Sequence, residues 1–477
     1  MATTKKLVLA VVDGLSPAVL ERAIVEGRAP ALAYLRDVGA YATGTTTFPS
    51  LTPVCLTTIA TGVHPDVHHI PHLVWYHRGE RRLVEYGSSF SAVRAVGARR
   101  SLQDAVWEMS HRHVNPAATT VFEAIEDAAL TAGAINFTCY RGRTRHELRL
   151  PLPAKNRWYE AAYGPKRFFF FNLWESDETG AGLSIRDRVG GSIDAYATAI
   201  GRWLVTRDGF DFLVYYLTDY DYAAHLRGPE GALDALERAD GCLARLMDAA
   251  GGADEFLERY ALVVCSDHGQ SEVTRSARLR DAFADLAVYG GRRDGDPDAC
   301  DVAIGASNRA GMLFRLPACR VSARDLAVRL DGVPSADVVL FRKNGIAVAR
   351  RGGAELRFAP KEGGFALEGD EAVLDPERYP NGLERSWRAL ACPNAGEVIV
   401  SATEGYEFED LGGRSHVGGG SHGSLLAGDS TVPLIAAGFE DSPLPPDPQT
   451  TDLAPLVLAH FGIEPPPTMR RLAVAGT

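Results

Sequence analysis

A chain of 477 residues exceeds one small domain and predicts a large core with insertions, or two to three domains. Its composition, 46% hydrophobic and 23% charged without a repeat or low-complexity tract, excludes the fibrous and disordered classes. The formal charge of −11 argues against a nucleic-acid polymer as partner, yet leaves small phosphorylated substrates open, because bound cations invert the local field.

Six apolar residues, "LVLAVV" (7–12), follow two lysines and end at Asp13. The run is too short for a signal peptide or a membrane span, so the expectation is a cytoplasmic protein without a membrane partner. The seven cysteines are odd in number and never form a Cys-x-x-Cys pair, which fits reduced thiols in a cytosol. In "PSLTPVCLTTIATG" (49–62), Thr52 before Pro53 predicts an N-cap and a helix from Pro53 to about Thr61, stopped by Gly62. The start of such a helix offers N–H groups and a positive dipole end to an anion. Only Ser50 and Thr52 stand at that end, while Thr57, Thr58 and Thr61 lie within or beyond the helix. In the histidine run that follows, His64, His69, His72 and His77 are expected on an exposed loop.

A helical pattern at 120–133 leads into the strand-like "AINFTCY" (134–140). Arg141, Arg143 and Arg145 alternate in "CYRGRTRHELR" and are candidates to clamp phosphate oxygens. The aromatic and basic stretch 141–187 reads as a peripheral excursion. "FLVYYL" (212–217), "ALVVCS" (261–266) and "VPLIAAG" (432–438) are continuous apolar runs like the first, the pattern of strands buried on both faces. Helical patterns between them, such as 229–250, predict an α/β fold with a mostly parallel central sheet flanked by helices on both faces. The Pro/Gly-punctuated stretch 276–410 reads as an inserted subdomain or cap, leaving 1–275 and 411–477 as the core.

The polar residues at the ends of those runs carry the chemistry. Asp13 follows the first run, Asp219 and Asp221 the second, and Asp267 and His268 the third. Ligands bind outside the carboxyl ends of strands in an open parallel sheet, so three such ends converge on one site. His225 lies four residues beyond Asp221, one helical turn away, and His422 sits among glycines in "GGGSHGS". Three carboxylates and three imidazoles suit zinc, with manganese or iron as alternatives. Six ligands exceed the need of one tetrahedral ion and predict two.

In order along the chain, "VVDGL", "TPVCLTTIATGVHPDVHHI", "DYDYAAHLRGPEG", "CSDHGQ" and "GGSHGS" resemble the alkaline phosphatase superfamily, and within it the type I phosphodiesterase/nucleotide pyrophosphatase branch. The resemblance implies an alkaline phosphatase-like core. It implies one zinc on Asp221, His225 and His422, and a second on Asp13, Asp267 and His268 together with the nucleophile oxygen. The family places its nucleophile ten residues before the Gly that closes the helix, which is Thr52 here, with Ser50 as the fallback. His68 corresponds to a structural family histidine. Cys55 stands where the resemblance implies a phosphoryl-binding Asn and joins Arg141 and Arg143 among the substrate-binding candidates. Ala224 replaces a family Gly, and "TFPS" (47–50) lies out of register with the family's Thr-Phe-Pro-Asn. The implied activity is hydrolysis of a small phosphorylated substrate, foremost a phosphate diester, through a phosphothreonine. A phosphomonoesterase, phosphomutase or phosphonate hydrolase on the same core, and an inactive metal-stabilised binding protein, are the alternatives; the oligomeric state stays open.

Overall fold

Alternate residues of the first strand, β1 (Lys6–Val12), enter two different hydrophobic clusters. Leu7, Leu9 and Val11 face one, and Val8, Ala10 and Val12 the other. A strand covered on both faces has no polar side to alternate with, which is why the run is continuous. The computed structural model describes residues 4–147, 161–182, 193–291 and 294–469.

Along the chain, β2 (Ala40–Thr45), β3 (Ala132–Ile135), β4 (Arg167–Phe170), β5 (Trp174–Glu175), β6 (Phe212–Leu217) and β7 (Tyr260–Cys265) join the sheet of β1. A second eight-stranded sheet follows between Val288 and Ala402, in which β8 (Val302–Ser307) and β9 (Ala310–Arg315) form an antiparallel hairpin. The chain then returns to the first sheet as β10 (Thr431–Ala437), giving the order β2-β10-β7-β1-β6-β3-β4-β5. The five strands β7, β1, β6, β3 and β4 are parallel. The fold is the expected α/β sheet, mostly parallel, with helices on both faces. One run departs: β10, within "VPLIAAG", pairs antiparallel with both β7 and β2. It is buried on both sides all the same, and apolar composition reports burial rather than strand direction.

The helices Pro17–Val25, Pro30–Val38, Ile193–Thr206 and Leu233–Asp248 cover the face of Val8. The helices Thr52–Thr61, Val121–Asp127 and Leu453–His460 lie on the face of Leu9. The Val121–Asp127 helix, started by a Thr120/Glu123 capping box, is shorter than its sequence pattern, because β3 already begins at Ala132. Ala303, Met312, Phe314 and Leu340 of the second sheet belong to the same cluster as Leu9, whereas Val302, Ile304 and Leu313 pack with Leu326 and Leu330 of the Ala323–Asp331 helix. The second sheet therefore shares its inner face with the main core. A parallel ribbon, Arg275–Ala277 with Tyr406–Phe408, brings together the two chain segments that lead to and from it. Of the excursion 141–187, residues 148–160 and 183–187 lie outside the described residues; in the described part Phe168, Phe170 and Trp174 pack with Tyr140 and Ala162. Among the described residues, no helix is long and apolar enough to cross a membrane.

At Gly305, β8 packs against the hairpin of Val74–His77 with Arg82–Glu85, and a Cβ there would stand 2.2 Å from the Val74 carbonyl oxygen. Gly305→Ala is expected to lower stability by roughly 1–3 kcal/mol through overpacking, read as a reduced midpoint in chemical denaturation.

Candidate active site

The register of the parallel strands sets the site. Val12 pairs with Leu217 and Val11 with Cys265, so β7, β1 and β6 end at nearly the same level. The next residues are Asp13, the segment Thr218–Asp221, and Asp267 with His268. Asp13, Asp221, Asp267 and His268 are all buried. At Gly14 the backbone takes a φ of 73°, and a Cβ there would meet the Asp221 carboxylate at 2.7 Å. Glycine thus permits the turn and the close approach of two strand ends.

Asp221 opens the helix Asp219–Arg227, which carries His225 one turn later, with His225 Nε2 3.4 Å from Asp221 Oδ2. His422 comes from the loop before β10, and its ring stacks on His268 with centroids 3.6 Å apart. His268 Nε2 lies 3.3 Å from Asp267 Oδ2, 3.5 Å from Asp13 Oδ1 and 3.0 Å from Thr52 Oγ1. Two groups of donor atoms lie within 4.8 Å of one another: Asp221, His225 and His422, and Asp13, Asp221 and His268. Asp221 belongs to both.

This donor set suits metal ions on three independent counts. The Nδ1 atoms of His225, His268 and His422 pair with the carbonyls of Gly420, Gly269 and Ser50, so each donates Nδ1–H and leaves its Nε2 lone pair for the centre. Asp13 Oδ1 and Asp267 Oδ2 are buried without a hydrogen-bond partner, where an anionic oxygen is costly unless a cation meets it. Charge is also out of balance. Burial, with Asp267 and Asp221 nearby, holds the Asp13 carboxyl well above its usual range, and burial raises Asp267 to about 7. Burial lowers His268 to about 3 and His422 far below its ordinary value. Buried carboxylates that prefer protons and imidazoles that refuse them match sites that divalent cations complete.

Neighbouring groups aim the carboxylates. Tyr216 donates its hydroxyl to Asp13, and Gln270 donates its amide to Asp221. Gly14 N–H and His268 N–H both reach Asp267 Oδ1, at 3.3 and 3.0 Å.

Thr52 does not cap its helix. Leu51 is the N-cap, without a side-chain cap bond, and Thr52 is the first helical residue with its hydroxyl turned to His268. The Ser50 hydroxyl donates to the Ser424 carbonyl, and the Ser50 carbonyl holds His422. Thr57 and Thr61 bond back along the helix and Thr58 meets His68, so these hydroxyls serve packing.

Three expectations need correction. Cys55 is fully buried and absent from the cavity lining, because its thiol turns to the Thr46 hydroxyl in the core. Arg141 pairs with Glu123 at 3.1 Å, and Arg143 with Glu123 at 2.9 Å and Asp127 at 2.8 Å. Both lie outside the cavity lining, held by acidic groups about twenty residues earlier in the chain that strand spacing does not reveal. Arg145 likewise pairs with Glu147. His64 and His72 are buried rather than exposed, while His69 and His77 are half-buried; burial lowers His72 to about 4.

A cavity of about 630 Å³ opens on the donor set, and the apolar Leu73, Met109 and Phe171 with Tyr86 are among its lining residues. Two of its polar residues escaped the sequence reading. His416 donates Nδ1–H to the buried Glu407 at 2.7 Å and lies with its ring centroid 4.2 Å from that of His225. Its position six residues before His422 is a signal that spacing offered. Asn308, on the β8–β9 turn, had none.

The sequence profile of the type I phosphodiesterase/nucleotide pyrophosphatase family matches residues 7–425. The chain belongs to this family. Membership makes it a hydrolase of the phosphoester-cleaving class, consistent with the candidate metal-binding groups at the strand ends. No curated protein sequence matches it. Among solved structures it is similar to phosphonoacetate hydrolase from Sinorhizobium meliloti 1021, in complex with phosphonoformate at 18% identity and with phosphonoacetate at 16%. Each alignment covers 96% of both chains with a TM-score of 0.60, which establishes a shared alkaline phosphatase-like fold.

Because Asp267 takes up a proton near pH 7 and Asp13 does so above its usual range, a metal ion binding at lower pH must displace protons. Burial lowers the proton affinity of all three histidines, so they compete less. Metal affinity is therefore expected to rise as pH increases from about 6 to about 8, by about ten-fold per unit for each proton displaced. Calorimetric titration of the metal-free protein in buffers of different ionisation enthalpy reads both affinity and proton release; pH-independent affinity runs against this account.

Proposed function

We propose that this protein is a phosphodiesterase that uses two zinc ions and Thr52 as nucleophile, acting through a phosphothreonine. The observation that carries the reading is Thr52 Oγ1, at the first residue of a helix and 3.0 Å from His268 Nε2 in the middle of the donor set. Asp221, His225 and His422 would hold one ion, and Asp13, Asp267 and His268 the other. When bound, the pair supplies Lewis-acid stabilisation of the attacking and departing oxygens.

The positive end of the Thr52–Thr61 helix favours the ionised hydroxyl over the neutral one. Thr52 Oγ1 attacks phosphorus in line with the ester oxygen, whose bond to phosphorus breaks as the threonine ester forms. Water then attacks the same phosphorus from the vacated side and releases Thr52. The protein's own part is alignment and a fixed, buried set of donors that need no reorganisation during the reaction.

The apolar part of the cavity lining favours a diester over a monoester. A monoester needs room for one organic group, whereas Leu73, Tyr86, Met109 and Phe171 offer an apolar surface beyond the donor set. Tyr222 and Leu226, one turn apart on the helix of Asp221 and His225, stand exposed at the mouth and extend that surface outward. Phosphonate hydrolysis is the second reading, favoured by the likeness to a structure that holds phosphonoacetate.

Thr52→Ala is expected to lower kcat at least about a thousand-fold while metal content and fold persist; turnover at the wild-type rate, or a wild-type enzyme that never forms acid-stable phosphothreonine in a rapid quench, contradicts the nucleophile assignment. Across a panel of an aryl diester, the matching monoester and phosphonoacetate, kcat/KM is expected to be highest for the diester. Met109→Ala should raise KM for that diester several-fold with little change in kcat, since the lost contact is made equally in ground and transition states.

A further inference from the structure

Asn308 reaches the cavity from the second sheet rather than from the sheet that carries the donor set. It occupies the turn between β8 and β9 with a φ of 56°, and little of it is exposed. The turn is held from several sides. Phe408 N–H donates to the Asn308 carbonyl at 2.8 Å, Arg309 N–H to the His422 carbonyl at 2.8 Å, and Ala402 N–H to the Arg309 carbonyl at 2.9 Å. The wholly buried Arg309 guanidinium pairs with Asp429 at 2.6 Å. Gly423 lets the turn come this close: a Cβ there would lie 3.2 Å from Arg309 N and 2.9 Å from Leu51 Cδ2.

The amide of this fixed residue has an acceptor that metal binding removes. Asn308 Nδ2 lies 3.0 Å from His422 Nε2. His422 donates Nδ1–H to the Ser50 carbonyl, so Nε2 carries the lone pair, and it accepts from the Asn308 amide. The same lone pair is the one His422 offers to the group it forms with Asp221 and His225. One lone pair serves one partner. Once it is given to a cation, a buried amide N–H is left without an acceptor, which a folded protein rarely tolerates. The Asn308 side-chain oxygen is engaged separately, by the Ser307 hydroxyl at 3.1 Å. Beside the metal groups, the acceptor that arrives with substrate is an anionic oxygen.

We propose that Asn308 is a substrate-binding residue, whose amide N–H moves from His422 to a non-bridging oxygen of the substrate's phosphoryl or phosphonyl group when the metal groups are filled. The proposal rests on the metal-dependent reading of this cavity. It makes the second sheet part of the active site: the nucleophile and most metal-holding groups come from one sheet, and the neutral donor to the developing charge comes from the other.

The test uses zinc-reconstituted wild type, Asn308→Gly and Asn308→Ala. Glycine accepts the positive φ, so agreement between the two variants separates loss of the amide from backbone strain. Metal content is measured by elemental analysis, and affinity for inorganic phosphate by isothermal titration. Both variants are expected to keep the wild-type metal stoichiometry and to bind phosphate about ten- to hundred-fold more weakly, the range for a hydrogen bond to a charged group. Unchanged phosphate affinity overturns the proposal. Loss of metal in both variants also overturns it, because Asn308 would then act only by holding His422. A wild-type protein that takes up zinc but binds no phosphate refutes the phosphoryl reading of the whole cavity, and this proposal with it.

Discussion

Three carboxylates, Asp13, Asp221 and Asp267, are held in one dry place at the carboxyl ends of adjacent parallel strands, and the surrounding structure answers to that. The level register of β7, β1 and β6 brings them together, and burial with neighbouring carboxylates disfavours the charge of Asp13 and Asp267. Three imidazoles turn inward beside them, each locked by a backbone carbonyl and each made less basic by burial. No arrangement of protein groups alone neutralises such a cluster well. Cations do, and the carbonyls that hold each Nδ1 turn the Nε2 atoms toward the cluster.

The second sheet makes this arrangement possible from the other side. His422 depends on Ser50 for its ring orientation, and its carbonyl accepts from Arg309 at the end of the β8–β9 turn. Arg309 in turn is anchored by Asp429, which also accepts from Ser424 and Ser271. A buried ion pair of this kind adds little net stability compared with apolar packing, but it tolerates only one register between the partners it joins. The loop with His422, the second-sheet turn with Asn308 and the strand-end cluster are thus tied into one geometry. Glu407, on the ribbon that links the two segments around the second sheet, orients His416 at the cavity mouth in the same way.

Much of the candidate site was legible because its signals are local. A continuous apolar run announces a strand buried on both faces, and a carboxylate in the next position or two announces the strand's working end. Asp13, Asp219 and Asp267 each carry that signal, and Asp221, four residues past its strand, adds the one-turn spacing to His225. Thr52 was legible as the start of a helix but not as its first turn with a free-facing hydroxyl, because capping and reaching away from the cap share one sequence pattern. Arg141 and Arg143 misled for a related reason: alternating arginines present cations, and only the fold shows that Glu123 and Asp127 already hold them. Cys55 misled too, since only the fold shows its thiol held by Thr46 in the core.

The sequence by itself determined the fold class, the strand ends that bear acids, and the chemical type of the donor set, since each depends on residues within a few positions of one another. Only the tertiary structure decided that Asp221 serves both donor groups, that β10 runs antiparallel, that His416 is braced by Glu407, and that Asn308 reaches His422 from 114 residues away. Those are pairings across the chain. Their free energy depends on which groups burial brings within hydrogen-bond distance, and no local spacing encodes that distance.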